Sequence, residues 1–321
     1  MSLFSGLPLR ALQLRALRRG MRAGLIVGGI ALIALLLPDS GVHPTRFTLV
    51  KVDTSQATDL GSLAKGKDVI SILAIGSDAR PDEETLKARG DAIHMIFLNT
   101  RTGAAADIGV PRDSWVEVPG VGSTRINAAL YYGGPELMGR AVGNLVGVQP
   151  DYVFVTRFWS FVDIVKSIGP IQVDNPVPFS DEYLKPKGFR SGKITLYPYD
   201  AFAFSRIRHD LLRGDFDRSA NQSRVIAAIQ EKVHARRDDP GFLSKGVMSV
   251  MENLETNLSP AELWRLAHAV ADVDPTKVTG CVVWGDIGNI DGASVVLPYV
   301  DDARSYGDQA RNDATIEDCL H

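Results

Sequence analysis

Apolar residues fall along this chain in short blocks, and their spacing assigns most of its elements. Val69 to Ile75 (VISILAI) and Ile93 to Leu98 (IHMIFL) are near-continuous apolar runs rich in isoleucine, and Ala106 to Val110 leads into a turn at Pro111. Each predicts a buried strand. Helical spacing takes over behind Pro135, where Leu137, Met138, Ala141, Val142, Leu145 and Val146 recur on one face with proline at the first helical position. Phe158, Phe161, Val162, Val165 and Ile168 form a second stripe, and both helices are expected to lie on the sheet. Ile171 to Val173 and Val282 to Trp284 predict further strands, and Val225, Ile226, Ile229 and Val233 mark a long helix after residue 217. Ser259, Pro260 and Glu262 have the form of a capping box opening a last helix through Leu263, Leu266 and Val270. Strands and helices alternate, which predicts an α/β fold: a layered α-β-α domain with a central mixed sheet covered by helices. From about Asp301 the chain is polar and acidic and is expected to be a loosely held tail unless Cys319 pins it.

One apolar block has a different character. Ala23 to Pro38 (AGLIVGGIALIALLLP) carries no charge and no polar face, so it does not fit a helix of a soluble core. It predicts an N-terminal transmembrane helix, a little short of the roughly 20 residues usually needed to span. LLLPDSGVHP offers no small-residue cleavage pattern, which favours an anchor over a removed signal. Arg10, Arg15, Arg18, Arg19 and Arg22 precede the block, leaving the tail in the cytoplasm and sending everything after Asp39 outward. The expected organisation is a basic tail over 1–22, a single-pass anchor over 23–38 and a stalk over 39–67. A main domain over 68–240 follows, with an extension over 241–321 packing on it or completing it.

Charge sharpens the division. The whole chain carries a net charge of -3, and removing the five arginines of the first 38 residues leaves the remainder at -8. An acidic exported part without aromatics interleaved among its arginines speaks against nucleic acid as a partner. The only two cysteines, Cys281 and Cys319, lie on the exported side, where a disulfide is permitted; a bridge and two separate buried thiols both remain open. No His or Cys spacing suggests zinc.

Candidate chemistry gathers where strands end, since loops there present functional groups on a rigid sheet. The first strand runs into Gly76, Ser77, Asp78, and the second is preceded by Arg89, Gly90, Asp91. Two carboxylates beside a polyanionic ligand are what magnesium usually requires. Arg112 and Asp113 follow Pro111, and Arg125 follows a glycine-rich turn. The densest run, SRIRHDLLRGDFDR, carries Arg206, Arg208, Arg213 and Arg218, with Gln222 one helical turn beyond Arg218. Guanidinium forks match phosphate oxygens bidentately, so the run reads as a phosphate cage. The competing reading is a solvated loop in which Asp210, Asp215 and Asp217 merely neutralise those arginines.

In order along the chain, GSDAR, RGDA, PRDSWVEVPG, RINAALYYGG, SIGPIQVDNP, SRIRHD and DFDRSANQ resemble the LytR-CpsA-Psr family of cell-wall glycopolymer ligases, over Val69 to Ile229. The resemblance implies a bacterial phosphotransferase held at the cell membrane with its domain outside. Such an enzyme binds a polyprenyl pyrophosphate-linked glycan, with the lipid in a tunnel between sheet and helices, and moves the glycan phosphate to a peptidoglycan hydroxyl. It further implies Mg2+, or Mn2+, on Asp78 and Asp91. Arg112, Arg206, Arg208 and Arg218 would clamp the pyrophosphate with Gln222 assisting and Arg125 as a partner. Arg112, Arg206 and Arg208 would act at the reacting phosphate, and Asp113 is the candidate base, although an Asp after an Arg also serves to orient it. Ala92, Asp217 and Asn221 depart from the family pattern, which bears on the acceptor and on the surroundings of Arg213. The part beyond about residue 240 is not covered by the resemblance. The alternatives are a polyprenyl-pyrophosphate-binding module, a pyrophosphatase without ligase activity, or a transcriptional regulator, as the family has often been labelled.

Overall fold

Hydrogen bonding gathers the apolar runs into one sheet. The computed structural model describes residues 68–317 and Cys319, so the tail, anchor and stalk expected over 1–67 lie outside the described residues. Among the described residues no helix is long and apolar enough to cross a membrane. The chain begins with β1 (Val69–Ser77), β2 (Gly90–Asn99), β3 (Ala105–Gly109), the hairpin β4 (Trp115–Val118) and β5 (Gly122–Arg125), and α1 (Ala128–Val146). It continues with β6 (Tyr152–Arg157), α2 (Phe158–Ile168), β7 (Ile171–Asn175), β8 (Phe179–Asp181), β9 (Lys185–Phe189), β10 (Gly192–Leu196) and α3 (Pro198–Arg206). The rest is α4 (Asp215–Ala235), α5 (Pro240–Asn253), β11 (Glu255–Thr256), α6 (Pro260–Ala271), β12 (Val278–Val282), β13 (Gly285–Ile290), β14 (Ala293–Pro298) and α7 (Val300–Asp313).

Six strands form the central sheet in the order β11-β6-β1-β2-β3-β12. It is mixed, as expected: β1 runs antiparallel to β2 and parallel to β6, and β12 runs parallel to β3. Side chains alternate across it. Leu73 and Ile75 of β1 join Ile93, Met95 and Phe97 of β2 on one face, covered by α1 and by Tyr306 and Ala310 of α7. Ile70 and Ile72 point the other way, toward Leu263 and Leu266 of α6. Helices on both faces explain why the strands read as continuous apolar runs rather than alternating ones. A second core gathers Phe179, Phe189 and Phe204, ring centroids 5.1–5.3 Å apart, with Val165, Val173 and Leu196.

Four expectations change. The helix behind Pro135 is present, but a shorter helical piece from Ala128 precedes it, and the two meet at a kink where Gly134 has φ 64° and ψ -164°. That region is essentially open to glycine alone. The last predicted strand starts earlier, at Val278 rather than Val282, and Trp284 leaves it to stack on Phe216 at 4.6 Å. α2 does not lie directly on the sheet: Val165 and Ile168 enter the second core, and an apolar cavity of about 320 Å³ separates Ile164 from Ile72 and Ile96. The polar tail after Asp301 is not loose. Its first part is α7, packed so closely on the end of α1 that a Cβ on Gly307 would overlap the carbonyl oxygen of Val146. A disulfide between Cys281 and Cys319, with Cα atoms 5.4 Å apart, fastens its end to β12 and settles what the two cysteines do.

Candidate active site

The two acidic positions expected to meet do so because of strand register. β1 and β2 pair Gly76 with Ala92 and Ser77 with Gly90 across a bulge, bringing the end of one strand to the start of the other. Just past β1, Asp78 and Arg89 hold one another: the Asp78 amide donates to the Arg89 carbonyl at 3.0 Å, and the Arg89 amide donates to Asp78 Oδ1 at 2.9 Å. Burial, and then the nearby charge of Asp91, push the Asp78 carboxyl above the usual carboxylate range. Two crowded carboxylates of this kind suit a hard divalent cation that keeps several waters. No group of three or more His, Cys, Asp and Glu side chains able to hold a metal is found among the described residues, so a closed protein cage is not what this corner offers.

Asp91 opens onto a cleft of about 780 Å³, which Arg112, Arg206, Arg208 and Arg218 also line. The four arginines arrive from different places. Arg112 follows β3 and forms an ion pair with Asp91. Arg206 is the last residue of α3, where a cation complements the helix dipole, and its guanidinium lies 4.1 Å over the Phe158 ring. Ile207 is extended (φ -62°, ψ 135°) and buried, so Arg206 and Arg208 flank it on the cleft side. Arg218, in the first turn of α4, is buried against Asp215 in an ion pair. Burial pushes the Asp215 carboxyl upward against the opposing charge of Arg218. The hairpin of β8 and β9 and the 207–210 loop close the far side, tied together where the Ser180 amide donates to Asp210 Oδ2 at 2.8 Å.

The remaining expected residues stand behind this surface. Asp113 lies 3.5 Å from Arg208 Nη1, 3.7 Å from Arg125 Nε and 4.0 Å from Arg112 Nε, so one carboxylate orients three guanidinium groups. Arg125 does not line the cleft and donates from Nη2 to the Ser294 carbonyl at 2.7 Å. Arg213 is outside the cleft as well, paired with Asp217 and lying over the Trp284 ring at 4.9 Å. Gln222 does not reach in either. Its Nε2 donates to the Ser205 carbonyl at 3.0 Å and, at 3.5 Å, to that of Asp91, while Oε1 faces His94 Nε2 at 3.1 Å.

His94 and Asp107, absent from the sequence-derived set, complete the wall. His94 Nδ1 is 3.0 Å from both carboxylate oxygens of Asp107, and the two side chains are buried. With the Gln222 amide held by two carbonyls, both ring nitrogens of His94 face oxygen acceptors, an arrangement that favours the doubly protonated ring; against the lowering effect of burial, the Asp107 charge and the hydrogen bonds raise its pKa. Asp107 also lines the apolar cavity, so a chain of polar contacts runs from Asp107 through His94 and Gln222 to Asp91 at the cleft. The visible signal was a polar residue in the middle of each of two adjacent apolar strands. Asp215 was missed for another reason: only its deeper burial distinguishes it from Asp210 and Asp217 nearby in the chain.

Comparison with known proteins decides the family. The LytR_cpsA_psr family model matches residues 44–316. This chain belongs to the LytR-CpsA-Psr family. The match runs beyond the segment that carries the motifs and includes the C-terminal strands and α7. Among relatives in this family, a Bacillus subtilis (strain 168) protein is 29% identical over 259 residues, covering 77% of this chain and 82% of its own length; it is named polyisoprenyl-teichoic acid--peptidoglycan teichoic acid transferase TagU. A Bacillus anthracis protein of the same name is 28% identical over 216 residues, covering 67% of this chain and 69% of its own. The solved structure of TagT bound to LI-WTA matches with a TM-score of 0.64 at 25% identity, over 80% of this chain and 93% of that one.

Proposed function

We propose that this LytR-CpsA-Psr protein is a phosphotransferase that acts outside the membrane, held there by the 23–38 segment, and moves a glycan phosphate from a polyprenyl pyrophosphate carrier to a peptidoglycan hydroxyl. The observation that carries the reading is the convergence of Arg112, Arg206, Arg208 and Arg218 on one cleft beside Asp91. A solvated loop would neutralise its arginines locally, as Arg213 does with Asp217. Arg206 and Arg208 instead line the cleft, and the Asp210 carboxylate beside them is taken up by the Ser180 amide and hydroxyl. The names of the TagU relatives and the ligand of TagT support the same class of substrate.

Phosphoryl transfer asks mainly for positioning and for charge placed where oxygens become more negative. The cleft arginines bind and align the pyrophosphate, with Asp113 fixing the angle of Arg112 and Arg208 from behind. Asp78 and Asp91 would hold magnesium, which when bound adds positive charge beside the phosphate oxygens. The acceptor hydroxyl forms a new bond to the glycan-bearing phosphorus, the bridging P–O bond breaks, polyprenyl phosphate leaves and the hydroxyl proton passes to solvent. The apolar cavity on the far side of the Asp107–His94–Gln222 wall is suited to the lipid.

Incubating the full-length protein with a polyprenyl-pyrophosphate-linked glycan and peptidoglycan tests this. Glycan joined to peptidoglycan through a phosphodiester and free polyprenyl phosphate are expected, both lost in Arg206→Ala and Arg218→Ala. Hydrolysis with no acceptor product would identify a pyrophosphatase instead, and tight binding without turnover a capture module; either result refutes the ligase reading.

A further inference from the structure

Aromatic rings lead outward from the arginine cleft. Arg206 lies 4.1 Å over the Phe158 ring and 5.7 Å from that of Phe202, and those two rings are 5.5 Å apart. Beyond them the Trp159 ring is stacked 6.0 Å from Phe202 at 29° and 6.3 Å from Tyr199 at 27°. Their exposures differ sharply. Phe202 is 6% exposed, whereas Trp159 is 60% and Tyr199 41% exposed. The inner pair holds Arg206 in place, and the outer pair leaves much of two large aromatic side chains in water. A single exposed aromatic needs no explanation, but a stacked pair joined to a cation of the binding cleft is a surface with a direction.

We propose that Trp159 and Tyr199 form a stacking platform for the sugar ring attached to the pyrophosphate, a reading that rests on the cleft being the pyrophosphate site. A pyranose has a face of C–H bonds and a rim of hydroxyls. Aromatic faces carry partial negative charge, so they attract polarised C–H bonds while the hydroxyl rim keeps its water. Anion first and ring second is the order in which a glycosyl phosphate would meet Arg206 and then the platform. Both rings sit near the starts of helices, α2 and α3, whose backbones hold them side by side before a ligand arrives. Exposed Trp and Tyr also serve at membrane interfaces. Continuity with a charged cleft favours the sugar, since a lipid contact gains nothing from a cation at its inner edge that is already committed to phosphate.

Calorimetric titration of the full-length protein with farnesyl pyrophosphate and with farnesyl pyrophosphoryl-N-acetylglucosamine tests the platform. The wild type is expected to bind the sugar-bearing ligand more tightly. Trp159→Ala and Tyr199→Ala should each weaken that ligand about three- to tenfold, leave bare farnesyl pyrophosphate unchanged, and be partly rescued in Trp159→Phe. Equal affinities for the two ligands in the wild type, or the same loss on both in the variants, overturns the proposal. So does a loss confined to association with phosphatidylglycerol vesicles, which would assign the rings to the membrane. If neither ligand binds and Arg206→Ala changes nothing, the pyrophosphate reading itself fails and takes the platform with it.

Discussion

Replacing Asp107 by asparagine keeps the side-chain shape and removes one charge from a buried pair. His94 is 2% and Asp107 5% exposed, and both carboxylate oxygens lie 3.0 Å from Nδ1, so the carboxylate faces the ring directly as its counter-charge. Leaving an imidazolium buried and unpaired costs about 3–5 kcal/mol. The ring has one escape, which is to lose a proton. A neutral His94 would then set a lone pair against Gln222 Oε1, or force that amide round to face two carbonyls, a cost of about 1–3 kcal/mol. The cheaper route sets the cost, so Asp107→Asn should destabilise by about 1–3 kcal/mol, which for a domain of this size lowers Tm by about 2–12 °C. Thermal unfolding followed by circular dichroism measures this, and a double-mutant cycle with His94→Gln isolates the pair. A drop under about 2 °C, or strictly additive effects, would refute the buried imidazolium.

The same pair sets a pH dependence with a definite sign. Burial works to lower the His94 pKa, but the Asp107 charge and the hydrogen bonds to Asp107 and Gln222 prevail, so it lies above the ordinary 6.5. A group whose folded pKa is raised contributes stability that is complete below its unfolded pKa and is lost as pH rises through the folded one. Wild-type Tm should thus fall on the alkaline side of about pH 6.5, and His94→Gln should lack that component.

Three further outcomes follow from the geometry. Gly134→Ala puts a Cβ on a backbone at φ 64° and ψ -164°, and should cost about 1–3 kcal/mol by urea unfolding although only the Leu86 carbonyl is near; an unchanged midpoint would show that the kink relaxes freely. Cys319→Ser opens a link spanning 38 residues and should cost about 2–4 kcal/mol, with reductant lowering the Tm of the wild type and not of the variant. Arg213→Ala should keep transfer activity and lose no more than about 1 kcal/mol of stability, because its pairing with Asp217 is half exposed and outside the cleft; loss of activity comparable to Arg206→Ala would place it in the machinery after all.

Short-range periodicity accounts for most of the secondary structure of this chain. VISILAI and IHMIFL read as buried strands from their short, isoleucine-rich apolar runs, and the spacing of Val225, Ile226 and Ile229 as a helix, and β1, β2 and α4 stand where those patterns put them. Ordered motifs likewise marked Asp78, Asp91 and the arginines. Which of them meet depends on contacts between residues distant along the chain. Gln222 shares a helix face with Arg218 yet is spent on His94, Ser205 and Asp91, and three aspartates alike in sequence divide into a buried partner, a loop tie and a surface pair. The polar segment after Asp301 is a helix because α1 and β12 give it a surface and a disulfide to hold it. Trp159 was indistinguishable from a core aromatic until Phe202 filled the position beneath it. The meeting of Gln222 with His94 joins residues 128 positions apart through the packing of α4 on the sheet, and periodicity along a chain holds no information about such neighbours.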